Sequence, residues 1–540
     1  MPPMRQRQRQ SGLLDWFVGI GLAIVVAGAV IGTAWFGDDA LITFQQVRLF
    51  VAGDGMIWNP GIRVQAFTHP AWFFVLSLGH WITGALYWPT TVISTACTVG
   101  AVLLLWDFVR HQPGFAGRRT LPALFALLVL MAPGFISFAS SGLETSFSYL
   151  LAAATIRAVW ERAAGVGAWL LLALLVLNRQ DHALLFGPLA LLLAGRAWRE
   201  GRVMAMLPGC LLLVAWFGFA TIYFGSPMPN TYFAKLGGGV AFEERIVRGG
   251  LYFMDAALRE SFALVVIGLG IVAGAASGRM GRMFAIGLVL HLIYLMWIGG
   301  DFMRGRFLAV PFLVSMFLIA GAIRPRTASL PALAVIILAV ALGKVPQIRP
   351  DYSDNEAHFG IVNERGWYYP LYGLLSPGRH WFAPSPGTMA GARPVKAIIG
   401  CGQIGAHRLV SPPRVHVVDI CGLTDPFIAR LPAPDVPDWR VGHQPRRLPL
   451  NYDQVVMGRA KRLTGGHGQE LFDEMTLIAR GPLFDSRRLG AIWRRLIGAG
   501  AVAPEEYRIG GTGDLFLDDG TGPKPYSEAL ASRTDTSPQE

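Results

Sequence analysis

The sequence predicts a polytopic α-helical membrane protein with a smaller polar domain after its last span. Three observations carry that reading. Of 540 residues, 53% are hydrophobic and only 15% are charged, whereas a soluble chain carries about a quarter charged residues. The apolar residues gather in runs of about 17–22, long enough to cross a hydrocarbon core about 30 Å thick; the run 16–36, with GLAIVVAGAVIG inside it, has no charge. From about residue 346 the character changes, and 350–522 is rich in Arg, Pro, Gly and Asp with no run able to span.

The formal net charge of +12 does not point to nucleic acid. Most of the excess sits in short Arg clusters wedged between apolar runs, as a membrane topology signal does. No basic patch with interleaved aromatics stands in the membrane half. The N-terminus, MPPMRQRQRQSGLLDWF, is basic and then apolar, with no small-residue cleavage site after the run. It reads as an uncleaved signal anchor. Cys97 and Cys210 fall inside apolar runs and read as small core residues. Cys401 and Cys421 lie in the polar region, where their separation leaves a disulfide open.

The runs predict about eleven spans, at 14–35, 89–109, 120–138, 144–160, 164–178, 183–198, 204–224, 261–278, 283–299, 307–323 and 328–345. Residues 70–87 could also cross, and arginine placement arbitrates. Take Arg5, Arg7 and Arg9 as cytoplasmic and 70–87 as not crossing. Every Arg-rich turn then falls on one side: Arg110, Arg118 and Arg119; Arg157 and Arg162; Arg196, Arg199 and Arg202; Arg279 and Arg282; Arg324 and Arg326. A crossing at 70–87 would turn the later ones outward. The segment is therefore expected to be a juxtamembrane helix in the interface, with Trp72 and Trp81 as anchors. The same parity places the polar segments 36–69, 139–143, 179–182, 225–260, 300–306 and everything after 346 outside.

The expected organisation is a membrane domain over 1–345, whose outer loop 36–88 carries Asp38 and Asp39, then a soluble extracytoplasmic domain over 346–522 and a disordered tail over 523–540. Within the soluble domain, VKAIIG (395–400) and RVHVVDI (414–420) read as short buried strands and SRRLGAIWRRLIGAG (486–500) as an amphipathic helix, giving an α/β or α+β fold. No internal repeat of fixed period is present.

Two adjacent carboxylates at a membrane boundary, Asp38 and Asp39, are costly to keep there without use, although Asp also favours helix starts. Their flanks carry more. DDALITF (38–44), WNPGIRVQAFTHPAW (58–72), SGLET (141–145), NRQDH (178–182), PNTYFAKLG (229–237), GGDFMRGRF (299–307), NERGWYY (363–369) and CGLTDPFIARLP (421–432) follow one another over most of the chain. This ordered set resembles the GT-C superfamily of membrane glycosyltransferases, and within it the terminal arabinofuranosyltransferases of the mycobacterial cell wall.

The resemblance implies an enzyme of the bacterial plasma membrane with an outward-facing active site. It implies a polyprenyl-phosphate sugar donor, decaprenyl-phosphate arabinofuranose, an inverting mechanism, and an envelope glycan or glycoprotein acceptor. Such a displacement needs a general base for the acceptor hydroxyl and cations around the phosphate. Asp38 is the expected base and Asp39 the second candidate, because neighbouring helical side chains point about 100° apart. The outer-face cations Lys235, Arg304, Arg306, Arg179 and His69 are the expected phosphate ligands, with Asn230, Glu144, Asp181 and Asp301 beside them for sugar or acceptor. Each has a plainer reading: snorkelling for Lys235, an ion pair with Asp301 for Arg304 or Arg306, a pair with Asp181 for Arg179, a helix-start acid for Glu144, a hydrogen-bonded scaffold residue for His69. Asp38, Asp39, His69 and Glu144 could together hold a divalent cation, but no spacing is diagnostic and the metal stays unassigned.

Gly400-Cys-Gly402-Gln-Ile-Gly405 matches G-x-G-x-x-G after a strand. A dinucleotide site would need a long helix before the next strand, and Pro412–Pro413 are expected to forbid one. The motif reads as a tight turn. The rival readings are a related transferase for another polyprenyl-phosphate sugar (a hexose or aminopentose) and a lipid-linked sugar transporter; a transporter would show paired repeats and broken midplane helices. The topology is testable. Reporter fusions after Arg119, Arg202 and Arg326 are expected to report cytoplasm, and fusions after Gly238 and Arg379 the outside; an outside signal at Arg119 would show that 70–87 crosses.

Overall fold

The computed structural model describes residues 3–118, 120–160, 165–324, 338–339, 341–344, 359–376, 398–412, 415–433, 440–449, 451–464, 466, 468–504, 507, 516–518 and 523–525. They form two compact units. One comprises 1–37, 69–214 and 246–379, the other 38–68, 215–245 and 380–540.

The chain is mostly helical. Among the described residues four helices are long and apolar enough to cross a membrane: Leu14–Gly32, Tyr87–Arg110, Val203–Phe224 and Arg279–Ile298. Phe242–Arg259 and Ser261–Ala276 form a pair bent by 107°, and Thr120–Met131, Val166–Asn178 and Arg306–Ala322 are shorter apolar helices. Among the described residues the helices of spanning length number four, or five if the bent pair is one span, and do not establish the expected eleven. One cause is visible at 120–138. Proline cannot donate into a helix ladder, and the run splits into Thr120–Leu127, a 3-10 turn Leu128–Met131 and Pro133–Ser137. Most of the expected span 328–345 lies outside the described residues.

In the first unit, small residues let helices approach closely, as lipid-embedded helices must without a hydrophobic drive between them. Gly287 of Arg279–Ile298 lies on the backbone carbonyl of Leu185, and Gly270 of Ser261–Ala276 lies on Ser315. The helix Pro70–Thr83 has 14 residues, about 21 Å of rise, shorter than a hydrocarbon core about 30 Å thick. Trp81 is 72% exposed, with Phe74, Leu78 and Ile82 exposed beside it. Trp72 differs from the expected anchor. It is 0% exposed, and its indole Nε1 donates to the Gly142 carbonyl at 3.0 Å, the partner a buried indole requires. The NERGWYY segment also departs from expectation, since it belongs to this unit rather than to a separate soluble domain. Its helix Glu364–Tyr372 is tied in by the Tyr87 hydroxyl donating to Tyr372 O at 3.1 Å and by Leu374 N–H donating to Ala34 O at 2.9 Å.

The second unit is built on two short parallel strands, Ile398–Gly400 and Val417–Asp419, joined by the helix Ile404–Val410. A helix does form here, against expectation, because it ends at Val410, before the prolines. The disulfide Cys401–Cys421 bridges the chain just beyond both strands, with Cα atoms 5.2 Å apart. Residues 38–68 pack on this frame from far away in sequence. Asn59 reads one residue of the second strand on both sides: its Nδ2 donates to Val417 O at 2.8 Å, and Val417 N–H donates to its Oδ1 at 3.0 Å. The helices Gln469–Arg480 and Ser486–Leu496 complete the core through Leu471, Met475, Ile478, Ala491 and Ile492. Phe516–Asp518 pairs antiparallel with Pro523–Pro525, so the expected tail begins in a paired strand; 526–540 lie outside the described residues.

The third glycine of the G-x-G-x-x-G turn is a packing requirement. A Cβ on Gly405 would meet the Asp38 carbonyl and, at 2.7 Å, the Ile42 amide, both backbone atoms of the helix Asp38–Val51. Gly405→Ala is expected to lower the stability of the protein by about 1–3 kcal/mol, the usual cost of overpacking. Gly402→Ala, where a Cβ meets nothing within 4 Å, is expected to be close to neutral. Thermal unfolding of the two purified variants distinguishes them; equal midpoints would show that the contact is not constrained.

Candidate functional site

The sequence-predicted residues are divided between the two units. Asp38, Asp39, Asn230 and Lys235 lie in the second unit; His69, Glu144, Arg179, Asp181, Asp301, Arg304 and Arg306 lie in the first.

In the first unit the centre is Glu144, fully buried at the end of SGLET. His69 Nδ1 approaches its Oε2 at 3.2 Å, Arg179 Nη1 donates to Oε1 at 2.8 Å, and Arg306 Nη2 donates to Oε1 at 3.1 Å. Arg179 turns its Nε to Asp181 Oδ1 at 2.9 Å and lays its guanidinium over the Phe307 ring at 4.2 Å. The pair expected between Arg179 and Asp181 is present, and Glu144 is held by the same guanidinium. The acid on Arg304 is Asp255, which its Nε and Nη2 grip at 3.0–3.2 Å. Sequence reading had expected Asp301 there for one of the two arginines; Asp255 was missed because a residue 49 positions away cannot be paired by spacing. Asp301 Oδ1 accepts the Phe302 amide at 2.9 Å. Glu144, Asp181 and Asp255 are each answered by an arginine, which a buried ionic group demands. Beside it, Arg179, Asp181, His182, His291 and Arg306 line a cavity of about 10 Å³, room for a single water.

In the second unit Asp38 and Asp39 open the helix Asp38–Val51 and take different environments. Asp38 is buried. Its Oδ2 accepts the Gly405 amide at 3.0 Å and its Oδ1 accepts the Ala406 amide at 2.8 Å. The turn that resembles a phosphate loop thus receives an anion from its own chain, at the helix end where free N–H groups favour negative charge. Asp39 is half-buried. It bears electrostatically on His443, as do Arg440 and Lys235. A Cβ on Gly442 would meet Lys235 Cε at 2.8 Å, so the 440–443 turn lies along the lysine stem. Burial, helped by Arg440, pushes His443 down to about 4, and the imidazole is neutral at pH 7. His443 and Arg440 were missed by sequence reading: they stand in an aperiodic loop, some two hundred residues from Lys235.

The Lys235 helix, Asn230–Leu236, is clamped at both ends. Asn230 Nδ2 donates to the carbonyls of Gly422, Leu423 and Asp425 at 2.8–3.2 Å, so its amide holds the CGLTDP loop. Arg446 Nη2 donates to Ala234 O at 2.7 Å. A further cavity in this unit, about 410 Å³, opens between Ile62, Phe427, Tyr452, Met475 and Arg480. At its wall the Tyr452 hydroxyl donates to Asp425 at 2.6 Å. Among the described residues no three His, Cys, Asp or Glu side chains are arranged to hold a metal ion.

Burial raises the Asp38 carboxyl to about 7, against the two amides that favour its ionised form. Asp419 is raised to about 7 by the same cause. An acid with a raised folded-state value holds a proton in the folded chain that the unfolded chain releases near pH 4. Between about pH 4 and 7 the folded state binds more protons, so this contribution to stability falls as pH rises. Asp38→Asn takes up no proton and is expected to show a shallower decline of the unfolding midpoint over that window. Parallel declines in wild type and variant would show that Asp38 titrates normally.

No protein-family profile and no solved structure matches the chain. Two curated relatives do. One is the terminal beta-(1->2)-arabinofuranosyltransferase of Mycobacterium tuberculosis, 32% identical over 339 residues, covering 55% of this chain and 54% of that protein. The other is the protein of the same name from Corynebacterium glutamicum, 29% identical over 328 residues, covering 51% of this chain and 46% of that protein. The chain spans about half the length of the curated relatives it matches. Over that half it is similar to terminal arabinofuranosyltransferases, the likeness its ordered motifs carry.

Proposed function

We propose that this chain is an inverting glycosyltransferase of the bacterial plasma membrane. It takes D-arabinofuranose from decaprenyl phosphate and transfers it to an envelope glycan or glycoprotein on the outer face. The observation that carries the reading is the part-buried Asp39 at the head of the helix Asp38–Val51, which acts with Lys235 and Arg440 on the charge of His443, in a chain similar to two enzymes of that name.

Asp38 is buried with both carboxylate oxygens held by backbone amides, and it positions the helix start. Asp39, one residue on and less buried, takes the acceptor proton. Lys235 and Arg440 stabilise charge on the departing phosphate, a leaving group that needs cations more than a proton. His443, neutral at working pH, offers a hydrogen bond without competing for the phosphate charge. A single displacement, with the carboxylate on the acceptor side, inverts the anomeric centre. The buried cluster around Glu144 serves as framework.

Asp39→Asn is expected to lower turnover by about 10²–10⁴, the usual contribution of a general base, while leaving donor affinity and the unfolding midpoint near wild type. Lys235→Ala is expected mainly to weaken donor use. The assay supplies polyprenyl-phosphate arabinofuranose with an arabinan oligosaccharide, and compares a hexose-loaded lipid. Near-normal turnover in folded Asp39→Asn would sink the base assignment, and preference for the hexose lipid would overturn the sugar.

A further inference from the structure

The helix Ser486–Leu496 is apolar on two faces. Ala491 and Ile492 point into the core of the second unit. Leu489, Trp493, Leu496 and Ile497 recur at i, i+4, i+7 and i+8, the spacing of one helical stripe, and this stripe faces outward. Trp493 is 63% and Ile497 57% exposed, and Phe484 before the helix is 76% exposed. Val502, just beyond it, is exposed as well.

The stripe is not a sign of a loose helix. Asp485 caps it, accepting the amides of Arg487 and Arg488 at 2.8 and 3.3 Å. The buried Arg488 guanidinium donates to three carbonyls, of Ile478, Leu483 and Tyr223, at 2.8–3.0 Å. A helix anchored this firmly holds its outer apolar residues exposed, although burying them would be favourable. Contiguous exposed apolar surface of this kind marks an interaction face.

The charges choose the occupant. Arg487 and Arg494 flank the stripe, both exposed. The acids that face them are Asp485, which pairs with Arg487 at 3.1 Å, and the buried Glu474, 3.6 Å from Arg494. No other described acid pairs with either arginine. A stripe of tryptophan and aliphatic residues with arginines along one edge is what a membrane interface with anionic headgroups selects. The chain already has helices long and apolar enough to cross a bilayer, which keeps a lipid surface at high effective concentration.

We propose that the stripe Leu489–Trp493–Leu496–Ile497, with Arg487 and Arg494, docks the second unit onto an anionic lipid surface. The inference rests on the chain being a membrane protein. The test uses the full chain with Cys97→Ser and Cys210→Ser, the disulfide intact, and a nitroxide label at Leu496→Cys or, as an aqueous reference, at Gln454→Cys. Each is reconstituted into nanodiscs of phosphatidylcholine alone or with phosphatidylglycerol. The label at 496 is expected to collide with oxygen in excess of a water-soluble nickel chelate, relative to 454, and more so with phosphatidylglycerol. Arg487→Glu and Arg494→Glu are each expected to lower the docked-to-free ratio at least about fivefold in the anionic discs. A label at 496 as aqueous as that at 454 in both lipids overturns the proposal, while reconstitution itself upholds the membrane reading. Shielding from both probes, independent of lipid, in discs holding two copies would assign the face to a second chain and overturn it equally.

Discussion

The carboxylate of Asp38 under the amides of Gly405 and Ala406 is the contact on which the second unit depends. It joins residues 367 and 368 positions apart, and it meets the first turn of one helix with the first turn of another. Gly405 makes the approach possible, because any side chain there would strike the backbone at Asp38 and Ile42. Helix starts carry unsatisfied N–H groups. Here they are satisfied by an acid that itself opens a helix, so a single pair of bonds caps one element and positions the other.

That arrangement gives the two neighbouring acids different surroundings. Asp38 is drawn into the interior, its charge opposed by burial and favoured by two amides. Asp39, one residue on, is less buried and acts with a lysine and an arginine on the charge of His443. Adjacent positions on a helix diverge by about 100°, so a repeated residue meets two environments. The first unit handles charge differently. Glu144, Asp181 and Asp255 are matched by Arg179, Arg306 and Arg304 in buried pairs, so cations that look available in sequence are committed in the fold.

Much was legible beforehand, for identifiable reasons. Apolar runs announce membrane helices because lipid admits little else, and the short apolar runs at 395–400 and 414–420 marked two strands because a buried strand needs apolar side chains. The amphipathic helix at 486–500 followed from its period. Local rules failed where a tertiary partner intervened. Trp72 looked like an interface anchor until the carbonyl of Gly142 supplied its hydrogen bond. The Pro412–Pro413 pair looked prohibitive for a helix that ends two residues earlier.

By itself the sequence determined the apolar, helical character, the acidic pair at the head of a helix, and a resemblance to terminal arabinofuranosyltransferases, two of which are similar to it over about half the chain. Those are properties of composition and local order, which need no partner to be read. The tertiary structure alone decided that Asp38 accepts two distant amides, that Arg304 answers Asp255, that Asn230 holds a loop, and that the 440–443 turn lies along Lys235. These depend on burial and on donors hundreds of residues away. Desolvation and hydrogen bonding act on neighbours in space, and spacing along the chain carries no record of them.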